Sequence, residues 1–174
     1  MINYIFRNSF WTIKKRPKIT VPYTLLDLIV EIAGLVAILF MWIVLIVTYS
    51  KLPDSIPMNY DISGQINKYG GKSNIIILVA ITTVVFIGMT ILSRFPRVFN
   101  YPVIITENNA FLQYRNMARM IRCLKLAIIL VFGYFVIHTV FYTGENIGIF
   151  VMPLALAIVF IPTIYFIVKS FMYR

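Results

Sequence analysis

Four long apolar segments dominate the pattern of hydrophobic and polar positions along the chain. They cover residues 28–48, 75–92, 124–143 and 149–168, and each is apolar around its whole helical circumference. A helix needs about 20 apolar residues to cross the hydrocarbon core of a bilayer, whereas a surface helix of a soluble protein keeps one polar face. The pattern therefore predicts an all-α integral membrane protein, with one bundle of four transmembrane helices spanning residues 28–174.

The connecting segments are more polar, and two of them carry helical or interfacial signals. Residues 1–27 mix aromatic and basic side chains, which suits the lipid headgroup region. In residues 94–123, Phe111, Tyr114 and Ile121 recur at helical spacing beside arginines. This spacing predicts a helix that either hugs the membrane surface or docks a partner, and that runs on into the third span.

Basic residues are distributed unevenly between the connecting segments. Thirteen lysines and arginines lie in the two ends of the chain and in the segment 94–123, with the adjoining Lys125 included. The loop 49–73 has three. The positive-inside rule then predicts a multi-pass protein of the cytoplasmic (inner) membrane, with both termini and residues 94–123 in the cytoplasm. The loop 49–73 and the short turn 144–148 are predicted to face outward.

Composition fits a bilayer environment and argues against nucleic acid as a partner. The chain is 60% hydrophobic, and 13% of its residues are charged, against about 25% charged in soluble domains. Its mean hydropathy is +0.87. The net charge of +10 clusters beside apolar segments, where anionic headgroups attract it, and no base-reading motif accompanies it.

Few residues in the chain could carry chemistry. The single cysteine, Cys123, cannot form an internal disulfide, and one histidine, His138, cannot form a histidine metal cluster. The intramembrane polar candidates are Glu31 and His138, since ionisable groups in a bilayer are costly. They should differ in depth by roughly 15–20 Å, too far for a direct proton relay. Glu31 follows Asp27 by one helical turn and can snorkel or pair with lysines.

These observations predict a protein that is not an enzyme and holds no metal or cofactor. No known nucleophile, phosphate-binding or zinc-binding motif is present. An intramembrane enzyme would require Glu31, His138 or the loop acids to meet in one cavity, which the difference in depth opposes.

The loop LPDSIPMNYDISGQINKYGGK, residues 52–72, is unusually rich in residues that restrict the backbone. Pro53 and Pro57 each fix one φ angle and favour extended neighbours. Asp61 to Gly64 has the composition of a turn, with Gly64 able to adopt positive φ. The sequence predicts an ordered loop lying on the ends of the helices, either as a recognition site or as a rigid connector without a ligand.

The same stretch resembles the signature Leu-Pro-x-x-Ile-Pro-x-His-[Phe/Tyr]-x-x-x-Gly-x-x-[Asp/Asn]-x-[Tyr/Trp]-x-x-Lys of a membrane family, domain of unknown function 1648. The likeness extends over roughly residues 20–125. The family forms the N-terminal part of SdpI-type immunity proteins, so the resemblance implies protection against, or sensing of, a secreted toxin. Where the signature commonly has histidine, this chain has Asn59. An amide neither ionises nor binds transition metals well, although it can still form hydrogen bonds.

Together, these features predict a non-enzymatic bacterial membrane protein that binds or senses an extracytoplasmic or membrane-borne peptide or partner. The residues predicted to form the outer site or its scaffold are Pro53, Asp54, Pro57, Asn59, Tyr60, Asp61, Gly64 and Lys72. The alternative is a small accessory subunit of a transporter or membrane enzyme complex, in which the loop is a docking element. The lipid bilayer is the expected surrounding in both cases, and self-association of the chain stays open.

Overall fold

Four long apolar helices make up most of the part of the chain that the structure describes. A computed structural model describes residues 16–141 and 146–174, and its helices long and apolar enough to cross a membrane are α1 Leu25–Thr48, α2 Ser73–Leu92, α3 Ala110–Phe141 and α4 Val151–Met172. The predicted multi-pass helical bundle is confirmed. Residues 1–15 of the predicted N-terminal segment, the last two residues of the predicted third span and the first two residues of the turn 144–148 lie outside the described residues.

Helix α1 begins at a capping box. The Thr24 side chain accepts a hydrogen bond from the Asp27 backbone N–H, and the Asp27 carboxylate accepts one from the Thr24 N–H. Such reciprocal bonds satisfy backbone donors that a helix start leaves unpaired. At its other end α1 continues into a 3₁₀ turn, Tyr49–Lys51, and the chain then becomes extended at Leu52.

Helix α3 is the centre of the bundle. It packs against α1, α2 and α4, and its 32 residues make it about 48 Å long, longer than a hydrocarbon core of about 30 Å. The predicted helix within 94–123 is therefore its first half, continuous with the third span. Within α4, which is described throughout, Ser170 is the one buried residue.

The buried core lies in the half of the bundle near the loop 52–72, which we call the hairpin end. Helices α1, α2 and α3 contribute to it, and the loop adds Leu52 and Ile56. Trp42 Nε1 donates to Thr83 Oγ1 at 3.0 Å, which links α1 to α2. Because lipid is as apolar as these side chains, close packing and such hydrogen bonds hold the helices together.

The loop between α1 and α2 is a β-hairpin. Strand β1, Ser55–Tyr60, pairs antiparallel with β2, Ile66–Gly71, and the register is irregular on both sides of Asn59. The sequence predicted an ordered loop here but not strand pairing, so the hairpin adds a β element to the predicted all-α bundle.

At the opposite end, which we call the basic end, Arg16 holds the connecting segments together through backbone carbonyl groups and an aromatic ring. The Arg16 guanidinium donates to the carbonyls of Arg97 and Phe99 at 2.9 and 2.6 Å and lies over the Tyr101 ring. Burial raises the pKa of Tyr101 far above its ordinary value, so this phenol stays protonated.

Candidate functional site

A cavity of about 430 Å³ lies between the hairpin and the helix ends. The hairpin supplies one wall, and α2, α3 and α4 supply the others. The lining residues are Ile56, Pro57, Met58, Asn59, Tyr60, Asn67, Asn74, Ile75, Leu78, Phe132, Phe135, Thr139 and Met152.

The lining is apolar with a few uncharged polar groups. No aspartate, glutamate, lysine or arginine of the described residues lines it. Asn74 Nδ2 donates to the Gly71 carbonyl at 2.9 Å and so supports the start of α2. Asn59 and Asn67 are exposed on the hairpin, so their amides can offer a donor and an acceptor to an occupant.

Tyr60 fixes the end of β1 to helix α3. Its ring stacks on Phe135 at 6.1 Å between centroids and meets His138 edge-on at 6.0 Å. Its hydroxyl lies 3.5 Å from His138 Nδ1. Burial raises the pKa of Tyr60, so the phenol stays neutral. The predicted intramembrane residue His138 therefore lies beside the hairpin anchor.

The tip of the hairpin docks on the segment that precedes α4. Gly64 has φ of +79°, and a Cβ added there would lie 2.4 Å from the Gly148 carbonyl oxygen. The Ile147 N–H donates to the Gly64 carbonyl at 2.9 Å, and the Ile66 N–H donates to Asn146 Oδ1 at 3.2 Å. Positive φ and this close approach both require glycine at position 64.

The carboxylates of Asp61 and Asp54 hold the two ends of the hairpin. Asp61 Oδ1 accepts from the Ser63 N–H, the Ser63 hydroxyl and the Gln65 N–H at 2.9, 2.7 and 2.9 Å. The Ser63 bond and the backbone donors lower the pKa of Asp61. Asp54 forms a 2.9 Å ion pair with Lys72, which lowers the pKa of Asp54 and raises that of Lys72.

The structure places the eight loop residues predicted from the sequence in three groups. Pro57, Asn59 and Tyr60 line the cavity. Asp54, Asp61, Gly64 and Lys72 shape the hairpin, and Pro53 is exposed outside the cavity.

A network of five charged side chains joins α1 to α3 towards the basic end. Arg122 donates to Asp27 Oδ1 at 2.9 Å, and Arg119 Nε lies 3.4 Å from the same oxygen. Lys125, which is fully buried, pairs with Glu31 and donates to Thr90 Oγ1 at 2.7 Å. Glu31 therefore pairs with two cations of α3, Lys125 and Arg122.

The structure keeps Glu31 and His138 apart. Lys125, the partner of Glu31, precedes His138 by 13 positions on α3, or about 20 Å along the helix axis. Among the described residues, no group of three or more histidine, cysteine, aspartate or glutamate side chains is placed to hold a metal ion.

Comparison with known proteins identifies the segment that carries the hairpin. Residues 36–83 match the family model of a domain of unknown function, DUF1648. This stretch of the chain is a DUF1648 domain. The resemblance found in the loop sequence is confirmed.

The match to relatives is partial. An uncharacterized protein of Archaeoglobus fulgidus is 26% identical in an alignment of 77 positions, and the alignment covers 40% of this chain and 42% of that protein. The chain thus aligns with less than half the length of that relative. No solved structure matches the chain.

The DUF1648 segment contains only part of what surrounds the cavity. It includes the second half of α1, the whole hairpin and the first half of α2. Phe132, Phe135 and Thr139 come from α3, outside the match. Sequence reasoning missed these residues because a uniformly apolar span does not reveal which face meets the loop.

Lys125 and Arg122 were also missed as partners of the acidic residues. A signal for them exists. Asp27 and Glu31 share one face of α1, and Arg115, Arg119 and Arg122 share one face of α3, with Lys125 one turn further. Opposite charges at helical spacing on two neighbouring helices predict pairing.

Proposed function

We propose that this protein is a non-enzymatic membrane receptor that binds an uncharged, apolar segment of an extracytoplasmic or membrane-borne peptide in the cavity beneath the hairpin. The observation that supports this most directly is the cavity itself. Its volume of about 430 Å³ falls within the range of about 300–1,000 Å³ typical of ligand sites.

The lining favours a neutral apolar occupant. Aromatic and aliphatic side chains can surround an apolar side chain, while the Asn59 and Asn67 amides can bond a peptide N–H or carbonyl. A charged group would find no counter-charge on the described walls, and burying it unpaired is costly.

The side of the membrane from which the peptide would bind is inferred from the uneven distribution of basic residues. Thirteen basic residues belong to the chain ends and residues 94–125, against three in the loop 49–73. This distribution favours placing the hairpin outside the cell and both termini inside. The DUF1648 segment includes the hairpin, and its resemblance to the N-terminal part of SdpI-type immunity proteins supports an immunity or sensing role. The first function to test is therefore protection against a secreted peptide.

The decisive experiment expresses the chain in a sensitive bacterial host and measures survival against a panel of secreted, membrane-active peptides. The double variant Asn59→Ala/Asn67→Ala should lose protection while accumulating normally in the membrane. Losing two hydrogen bonds of about 1 kcal/mol each corresponds to roughly 30-fold weaker peptide binding. Asn108→Ala is the matched control, since Asn108 is an exposed amide at the basic end.

A photo-crosslinking residue separates this proposal from the accessory-subunit alternative. At Met58, which lines the cavity, it should capture the protective peptide in intact cells. At Ile62, which is 86% exposed at the hairpin turn, it should not. Capture of a permease subunit at position 58, with co-purification in fixed ratio, would instead support the accessory subunit. Full protection by the double variant would contradict the receptor proposal.

A further inference from the structure

A second cavity, of about 300 Å³, lies at the basic end between α1, α3 and α4. Four cationic side chains line it: Arg115, Arg119, Arg122 and Lys169. The one carboxylate among its described lining residues is that of Asp27. The cavity therefore carries an excess of positive charge within a membrane protein.

Asp27 is already engaged and cannot neutralise this excess. Its carboxylate accepts the Thr24 N–H and hydroxyl at 2.9 and 2.7 Å and pairs with Arg122 and Arg119. The ion pairs of the described residues include neither Arg115 nor Lys169. Instead Arg115 lies over the Phe111 ring, and Lys169 lies over Tyr165 and Tyr173.

The acidic side chains hold the arginine pair only loosely through Nε. Nε of Arg119 lies 3.4 Å from Asp27 Oδ1 and Nε of Arg122 lies 3.5 Å from Glu31 Oε1, and neither buried Nε makes a hydrogen bond within the described part of the chain. The Arg122 side chain is only 4% exposed. Guanidinium groups bind phosphate oxygens through several N–H groups at once, so this arrangement suits a phosphate.

The rim of the cavity indicates which kind of phosphate it takes. Leu26 and Tyr165, which line it, are 68% and 55% exposed on the transmembrane helices α1 and α4. In a bilayer these surfaces face acyl chains. A free phosphate ion would use only the cations, whereas a lipid would also cover the apolar rim.

We propose that the cavity at the basic end binds the phosphate of an anionic phospholipid headgroup, with the acyl chains lying along α1 and α4. Arg115 and Lys169 supply the charge not used by Asp27. Arg119 and Arg122 line the same cavity and complete the set of cations around the phosphate. The bound lipid would tie α4, which has few buried contacts, to α1 and α3.

The test measures binding of phosphatidylglycerol and phosphatidylcholine to the purified full chain by native mass spectrometry and by thermal shift in neutral detergent. Phosphatidylglycerol should bind preferentially and raise the melting temperature. Arg115→Gln/Lys169→Gln should weaken that binding roughly 30-fold, at about 1 kcal/mol per cation. Lys18→Gln/Arg94→Gln is the matched control, because it removes the same charge from exposed positions outside the cavity.

Three results would overturn the proposal. Equal loss in the control pair would show that binding follows overall charge rather than this cavity. Equal binding of the two lipids by the wild-type chain would exclude headgroup selection. Competition and an equal thermal shift by inorganic phosphate at millimolar concentration would show that the site takes the free ion rather than a lipid. Circular dichroism of each variant shows whether it is folded, so that a loss of lipid binding is not confused with misfolding.

Discussion

Neighbouring polar residues of the hairpin have different roles at the residue scale. Asn59 lines the cavity, whereas Asp61, two positions later, uses one carboxylate oxygen to accept three hydrogen bonds within its own turn. An aspartate that bonds backbone N–H groups two and four positions ahead stabilises a turn directly. The position of Asp61 therefore supports a structural role, and that of Asn59 a binding role.

This division predicts opposite results for two alanine substitutions. Asp61→Ala should speed hydrogen exchange of the amides between Ile56 and Tyr69, because the turn loses three hydrogen bonds. Asn59→Ala, the matched control in the same hairpin, should leave that exchange unchanged. Hydrogen exchange with mass spectrometry in nanodiscs measures both. Unchanged exchange in Asp61→Ala would contradict the structural role of Asp61.

The same carboxylates should make hairpin protection sensitive to acid. The folded pKa of Asp61 and that of Asp54 are lowered, by the Ser63 bond and by Lys72 respectively. Their contribution is thus present above the unfolded pKa of about 3.9 and is lost as pH falls through the folded values. In wild type, amide protection corrected for intrinsic exchange should stay constant from neutral pH down to about 4 and then decline.

The sequence revealed some of these residue roles but not others. Tyr60 was expected in the outer site or its scaffold, in a loop lying on the helix ends, and the structure shows it stacked on Phe135. Asp61 was expected in the outer site or its scaffold and in a turn that ends at Gly64, and its carboxylate bonds lie within that turn. The docking of Gly64 on Gly148 could not be predicted, because it depends on a segment more than 80 positions away.

At the scale of helices and strands, polar groups fix how α3 meets its neighbours. Gln113 Nε2 donates to the Ser170 carbonyl at 2.7 Å, and Asn116 Nδ2 donates to the Phe166 carbonyl at 2.8 Å. These bonds join α3 to α4, while the charged network joins α3 to α1. Since helices in lipid gain little from apolar burial, such contacts select one packing among many apolar alternatives.

The pair formed by Lys125 and Glu31 gives the test at this scale. Lys125→Met should destabilise the bundle by about 3–5 kcal/mol, since it leaves the Glu31 carboxylate buried without its main partner. Glu31→Gln/Lys125→Met should recover much of this loss, because neither charge then remains. Unfolding in detergent mixtures, followed by circular dichroism, gives the free energies.

Lys18→Met serves as the control for that pair, because Lys18 is exposed and its removal should have little effect. If the double variant is as unstable as Lys125→Met, the loss comes from packing around Lys125 rather than from an unpaired charge. A stable Lys125→Met would show that the ion pair does not hold α1 to α3.

The elements themselves were predictable to different degrees. Long apolar runs determined all four helices, because a bilayer demands both length and continuous hydrophobicity. The hairpin was not predicted as strands, since Pro57 and the irregular register at Asn59 interrupt the alternation that marks a strand. The pairing of α1 with α3 was not predicted, because the sequence shows the charged residues but not which helices are neighbours.

At the scale of the whole molecule, the two ends of the bundle differ in chemistry. The hairpin end holds an uncharged cavity lined by apolar and amide groups, and the basic end holds a cavity with excess cations. A bilayer with anionic lipid on its cytoplasmic face distinguishes these ends. The asymmetry that sets the predicted orientation therefore also places each proposed site next to its proposed ligand.

The predicted orientation can be tested by labelling cysteines in intact cells with a membrane-impermeant maleimide. Ile62→Cys and Asn108→Cys place exposed thiols on the hairpin turn and at the basic end. Ser93 is a poor position for this purpose, since it is 1% exposed and bonded to the Thr90 carbonyl. A Cys123→Ala background removes the native thiol.

Because the basic end should be cytoplasmic, position 62 should label in intact cells and position 108 only after lysis. Labelling of position 108 alone would reverse the orientation, and with it the side from which the proposed peptide arrives.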